Sequence, residues 1–461
     1  MLAIESDTRE DGMAGTARAG EALIGGATLA LALVATANMT PARSEPFAFE
    51  ARAIVAISDA DMVASAYVDG ALGPRAGEDR LSLIRPTGRA RDWTAVEVAA
   101  SNSVAGPPAA VALSPDGRTA IVVETLGARP AGDGPHVFAD LPVGRTIRVF
   151  DVGGDGPPKL VQQVTCAERP DAVRFNAAGS IVAVTFSPTG GGGRRPLALY
   201  PFAGGRLGEP VLPDVPGWSE GERMIDVDWH PQQNKLAAIE TTGGARLHVY
   251  DVAADLTLAQ NGNVVDIERA PYRVLFTPDG RHVVINALYW GPDIAGTWIE
   301  APRGSVVTVR LDAERRADGS VRHALIGRAM TGVSPEGLAV SPDGEWIVTT
   351  NLERSYLPVS DPRFTRYSSL TLIRLDTATG ALARIGDFYY EGILPEAAAF
   401  DAASRALAVA TFEHFDDGPA GGAIDFWRLH VEASDWSGAK LIKTGISIPV
   451  TRGVHSLAVA R

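Results

Sequence analysis

Along most of the chain, short apolar runs of five or six residues are separated by turn residues, and their spacing predicts hairpins. The clearest case is Pro335-Glu336-Gly337-Leu338-Ala339-Val340-Ser341-Pro342-Asp343-Gly344, which continues as Glu345-Trp346-Ile347-Val348-Thr349-Thr350-Asn351. Small and apolar residues alternate from Gly337 to Ser341, as in a buried strand, and Trp346 to Thr350 form a second strand rich in β-branched residues. The Ser-Pro-Asp-Gly between them is turn chemistry. Proline presets φ, aspartate bonds its own backbone, and glycine accepts positive φ.

One hairpin is not stable alone, and this one recurs. Ala53–Ser58 with Met62–Val68, Pro108–Gly117 with Thr119–Val123, Pro170–Asn176 with Ile181–Thr185, and Asp226–Pro231 with Lys235–Ile239 read as earlier copies. Pro271–Gly280 with His282–Ile285 and Pro395–Asp401 with Ala406–Thr411 flank the clearest copy, and Val454–Ala460 is a half-copy with no partner after it. A third strand follows each pair, from Leu81–Ile84 to Ile424–Trp427, and a weaker fourth follows most of them. The prediction is an all-β fold: a seven-bladed β-propeller of four-stranded antiparallel blades, closed by pairing of N- and C-terminal strands. Closure removes the two open sheet edges that a broken ring would expose. Either Ala53–Ser58 or Ser456–Ala460 supplies the innermost strand of the closing blade.

Composition narrows the picture. Within 461 residues, 49 Gly and 31 Pro suit many turns, and 46% hydrophobic residues suffice for a large core. A net charge of −13 without a basic, aromatic-interleaved run argues against a nucleic-acid partner. A single cysteine, Cys166, excludes an intrachain disulfide. Residues 1–45 are separate from the propeller at 46–461. Leu23–Val34 is apolar, follows Arg18 and precedes Ala35-Thr36-Ala37, the pattern of a secretory signal. It predicts a periplasmic or secreted protein, the other compartment being the cytoplasm. No later segment is long and apolar enough to span a membrane.

The Ser-Pro-Asp-Gly hairpins, the Val-Tyr-Asp and Val-Phe-Asp strand ends and Ile347-Val348-Thr349-Thr350-Asn351 resemble the lactonase-like β-propellers and their tyrosine–valine–threonine–asparagine (YVTN) repeat kin, a WD-like architecture. The resemblance covers about residues 50–461 and implies lactonase-like hydrolysis or isomerisation. Arg223 and His230-Pro231 match a family motif, with Met224 where the family has a histidine.

Propeller topology places the first-strand entries and the loops from strand two to strand three on one face. The longest of these loops are Leu126–Arg145, Leu288–Gly304, Leu352–Ser369 and Phe412–Ala423. Aligned register brings Ala109, Asp171, Ile225, Tyr272, Glu336, Glu396 and His455 around the channel mouth. Clustered carboxylates raise one another's pKa, so Glu336, Glu396, Asp171 and His455 are the candidate catalytic residues. Asp171, Glu336 and Glu396 are also candidate ligands for a divalent cation, Ca or Zn. Arg223 and Arg273 are candidates for orienting an anion, and Tyr272, Trp290 and Tyr356, together with Trp298, for stacking a ring. His282 and His323 are expected at the surface.

Two functions compete on this reading. One is an exported propeller binding a small polar, carbohydrate- or acid-like molecule at the channel mouth and acting by carboxylate and histidine acid–base chemistry. The other is a non-catalytic propeller whose loop face binds a protein partner.

Overall fold

In the computed structural model, the described residues are 47–104, 109–132, 134–187, 195–219, 221–241, 244–414, 421–432 and 435–461. The apolar run Leu23–Val34 lies outside them, as do the glycines at 190–193 and most of the loop after His414. The unit Pro46–Arg461 forms seven antiparallel sheets, each built outward from an inner strand. The recurring hairpin supplies the inner two strands of six of the blades, the closing blade excepted. In the sixth blade these are Pro335–Val340 and Trp346–Asn351, followed by Tyr367–Leu375 and Leu382–Glu391. The fourth blade carries one extra short strand, Val265–Asp266, on its third strand.

Second strands are sandwiched between neighbouring blades. Thr119–Leu126 and Trp346–Asn351 are buried at every position, whereas the outer strand Lys159–Thr165 is not. The core is therefore a ring of inter-blade seams. One apolar cluster runs through the first three blades, joining Val55 and Ile57 of the closing blade, Ile121 and Val123 of the next, and Val173 and Val184 of the third. The turns behave as their chemistry dictates: Gly117, Gly280 and Gly344 have φ between +70° and +76°. Ser114 donates to Asp116 at 2.5 Å and Thr277 to Asp279 at 2.7 Å, with Ser341 likewise bonded to Asp343.

The closing blade resolves the question of its inner strand. Val454–Ala460 is innermost, pairing Ala53–Ser58 in second place, followed by Arg80–Ile84 and Ala95–Ala99. Met62–Val68, expected as a strand, is instead loop leading into the one-turn helix Ala66–Asp69. Its apolar side chains are used differently from a strand's. Met62 packs with Leu72, Leu141 and Leu394 beneath the loop face. His282 and His323 are buried rather than exposed, and His323 is held by the Asp312 amide and the Asn261 carbonyl. No helix among the described residues is long and apolar enough to cross a membrane.

Candidate active site at the channel mouth

The residues brought together by aligned register share a backbone device. Just after the start of six inner strands the pairing slips, so that Asp171, Ile225, Tyr272, Glu336, Glu396 and His455 each lie in a β-bulge. Five of these bulges follow, one residue on, a left-handed residue: Arg169, Ala270, Ser334, Leu394 or Gly453, with φ from +46° to +86°. A bulge bends the strand and re-aims one side chain, which here turns toward the channel mouth. The amides it frees are satisfied locally. Thr185, Asn286 and Thr350, on the second strands, accept from Ala172, Arg273 and Gly337 at 2.7–3.0 Å.

Four consecutive blades thus present Tyr272, Glu336, Glu396 and His455. Glu336 and Glu396 are both buried, at 2% and 0% exposure. Burial pushes Glu336 up to about 8, against a stabilising hydrogen bond from Tyr272. Glu396 is raised well above its ordinary value, first by burial and then by the charge of Glu336, while Tyr67 donates to its Oε1 at 3.3 Å. Oε2 of each carboxyl is buried without a hydrogen-bond partner. Tyr67 and Tyr272 are in turn raised by burial and by these two acids. At neutral pH the pair holds protons that ordinary carboxyls would release.

Above Glu336 lies a cavity of about 310 Å³, walled by Tyr67, Phe138, Trp290, Trp298 and Tyr356. These walls come from the strand-two-to-three loops of four blades, as the topology predicts for a scaffolded site. Trp290 is central: its rings lie 5.8 Å from Tyr272 at 57° and 6.0 Å from Trp298 at 52°, and Nε1 donates to Ser334 at 2.9 Å. Glu336, Trp290 and Tyr356 therefore meet as expected. Tyr67 and Phe138 escaped the sequence reading. Tyr67 was hidden in the apolar stretch taken for a strand, and the chain after Asp59-Ala60-Asp61 carries no third-strand signal until Leu81, which marks a long loop.

The remaining candidates form other contacts. Asp171 is fully buried, receives a bond from Ser187 and pairs with Arg223 at 3.0 Å. Arg273 pairs with buried Asp226 at 2.7 Å, and Arg174 joins the same carboxylate at 3.0 Å. Both arginines expected to orient an anion thus already hold acids of the protein. His455 is completely buried, with Nε2 at 2.8 Å from Asn102 Oδ1 and Nδ1 at 3.0 Å from Ser456 Oγ. Burial drives its pKa down to about 3, so the ring is neutral and acts as a strut of the closing blade. Cys166 is no nucleophile, since burial pushes its thiol up to about 12.

Among the described residues, the three acids whose oxygens approach within 4.8 Å are Asp59, Asp61 and Asp79, rather than Asp171 with Glu336 and Glu396. This buried trio could hold a metal ion, and its all-oxygen donor set suits a hard cation. The same oxygens already accept from the chain. Asp59 receives the amides of Asp61 and Val104, Asp79 those of Ala60 and Asn102, and Asp61 that of Arg129, at 2.8–3.0 Å. The trio thereby ties the loop bearing Tyr67 to the mouth.

No family model and no curated protein sequence matches the chain. Solved structures do. A putative 6-phosphogluconolactonase from Bacteroides uniformis matches with TM-score 0.56 and 15% identity, over 89% of this chain and 99% of that one. A periplasmic gluconolactonase from Pseudomonas aeruginosa matches with TM-score 0.55 and 17% identity over 88% and 99%. A hypothetical selenium-binding protein from Sulfolobus tokodaii matches with TM-score 0.55 and 10% identity over 90% and 94%. What the chain shares with them is the propeller fold. At these identities the likeness concerns the fold alone.

Proposed function

We propose that this propeller binds a small ring-bearing molecule in the aromatic cavity at the channel mouth and acts on it by acid–base chemistry of Glu336 and Glu396, as a lactonase-like hydrolase. The reading rests on one observation: two buried carboxyls on adjacent blades, each with an unpartnered oxygen, one of them lining an aromatic cavity. In lactone hydrolysis one carboxylate takes a proton from the attacking water, and the other, still protonated, gives one to the departing ring oxygen. Glu396, held above its ordinary value, keeps a proton to give as the acid, and Glu336 becomes the base as it ionises toward about pH 8. Tyr67 and Tyr272 hold the two carboxyls in place.

The test is a panel of γ- and δ-lactones, with ring opening followed by proton release. Glu336→Gln keeps shape and removes the titrating group, and is expected to lower kcat/KM at least about 100-fold. Hydrolysis by the variant at the parental rate, with the fold retained, would sink the proposal. So would the absence of turnover of any lactone by the parent protein.

A further inference from the structure

The chemistry of the cavity also says what charge its ligand carries. Among the described residues no Lys, Arg or His lines it, and the one ionisable group besides tyrosine is Glu336. Arginines on the same face are committed elsewhere. Arg223 and Arg273 hold Asp171 and Asp226, and Arg354 donates to the Ile299 carbonyl at 2.9 Å and the Ala301 carbonyl at 3.3 Å. Behind Glu336 stands Glu396, and Asp59 adds its charge to Glu396 in turn. The wall of the cavity, among the described residues, therefore supplies a carboxyl and no cationic side chain, and a phosphate or carboxylate placed there would meet no direct cationic partner.

The walls point the same way. Tyr67, Trp290, Trp298 and Tyr356 line one space, with Trp290 tilted 52° to Trp298, and the negative faces of aromatic rings attract a cation within about 6 Å of their centroids. Glu336, which lines this cavity, keeps Oε2 unpartnered, and a hydrogen-bond-donating cation complements both it and the rings.

We infer that the cavity over Glu336 takes an organic cation, an amine or quaternary ammonium with an apolar body. The cation would sit among the aromatic rings and pair with Glu336, which gives up its proton as the positive charge arrives. The inference rests on the reading that this cavity is the ligand site, and adds the charge of the ligand to it.

Three probes of one shape separate the possibilities by calorimetric titration: 2-phenylethylammonium, 2-phenylethanol and phenylacetate. The ammonium is expected to bind at least about tenfold more tightly than the alcohol, with phenylacetate weaker still. Glu336→Gln should bring the ammonium down to the level of the alcohol while leaving the alcohol unchanged, and Trp298→Leu should weaken both. Alcohol or phenylacetate binding as tightly as the ammonium overturns the inference. If Trp298→Leu abolishes that binding, the cavity survives as the ligand site. Failure of the ammonium to bind overturns the inference too, and lactone hydrolysis that depends on Glu336 would leave the acid–base reading standing. Thermal unfolding of both variants confirms that each is folded.

Discussion

Acids occur at both the turn ends and the mouth ends of the inner strands, and the two ends treat them in opposite ways. At the turn end, Asp116 accepts from the Ser114 hydroxyl and the Arg118 amide, and these bonds hold its carboxyl below its ordinary value. Asp279, despite partial burial, is also held low by Thr277 and by the Arg281 amide and side chain. At the mouth end, Glu336 and Glu396 have few donors and deep burial, and both are driven up. Residue type differs little between the ends. What differs is the supply of hydrogen-bond donors: the tight turn offers amides and hydroxyls, while the bulge spends its amides on second-strand side chains. The turn end stabilises charge, and the mouth end stores protons.

Three changes test this contrast, beginning with the backbone that builds each end. Gly453 has φ +86° at the mouth, and a Cβ there would overlap the Asp59 carbonyl. Gly344, at φ +76° in a turn, has nothing nearer than Thr377 Cγ2 at 3.4 Å. Gly453→Ala should cost at least about 3 kcal/mol, and Gly344→Ala about 1 kcal/mol, as read from urea midpoints. Equal costs would break the contrast.

The second change concerns stored protons. An acid with a raised folded pKa favours the fold when protonated, so its contribution is full below its ordinary pKa of 4.5 and is lost as pH rises toward about 8. Glu336 faces Tyr272, Tyr356 and Glu396. Its loss of stability across that window is at most about 5 kcal/mol, at roughly 1.4 kcal/mol per pH unit. Glu336→Gln should therefore gain stability relative to the parent between pH 5 and pH 9. A gap constant with pH would show that Glu336 ionises normally.

The smallest effect belongs to the turns. Asp116→Ala removes a cap of one turn and should cost about 0.5–1 kcal/mol, with the same value at pH 6 and pH 9. Its lowered pKa puts its pH dependence on the acid side, where its contribution is lost as pH falls below the ordinary carboxylate range. A pH-dependent loss between 6 and 9 would mean that the turn end, too, stores protons.

The repeat was legible because each hairpin uses the same local grammar, and local grammar needs no tertiary information. The same regularity located the mouth residues, since the bulge falls at one register in six blades and alignment alone found that register. What alignment could not supply was partnership. Asp171 and Glu336 occupy equivalent positions, but Arg223 reaches the first and no arginine reaches the second. His455 occupies the same register and meets Asn102 from a loop of its own blade. The Met62–Val68 stretch misled because apolar content signals burial and not its kind. Met62 and Tyr67 are apolar because they cover the mouth, and covering requires no strand.

The closing blade has a consequence for how the molecule comes into being. Its innermost strand, Val454–Ala460, pairs with Ala53–Ser58 across almost the whole chain, and the Asp59 amide is anchored on the Gly453 carbonyl at 2.9 Å. During synthesis the second, third and outer strands of that blade emerge early and must wait for the last residues before they have an inner neighbour. The waiting edge at Ala53–Ser58 is apolar in all but Ser58, and an exposed apolar edge recruits other chains. Joining ends so far apart carries the largest loop-closure entropy in the fold. Circular permutation that moves Val454–Ala460 ahead of Ala53 would make this pairing a local hairpin, so the nascent chain would build its clasp first and its barrel of blades afterwards.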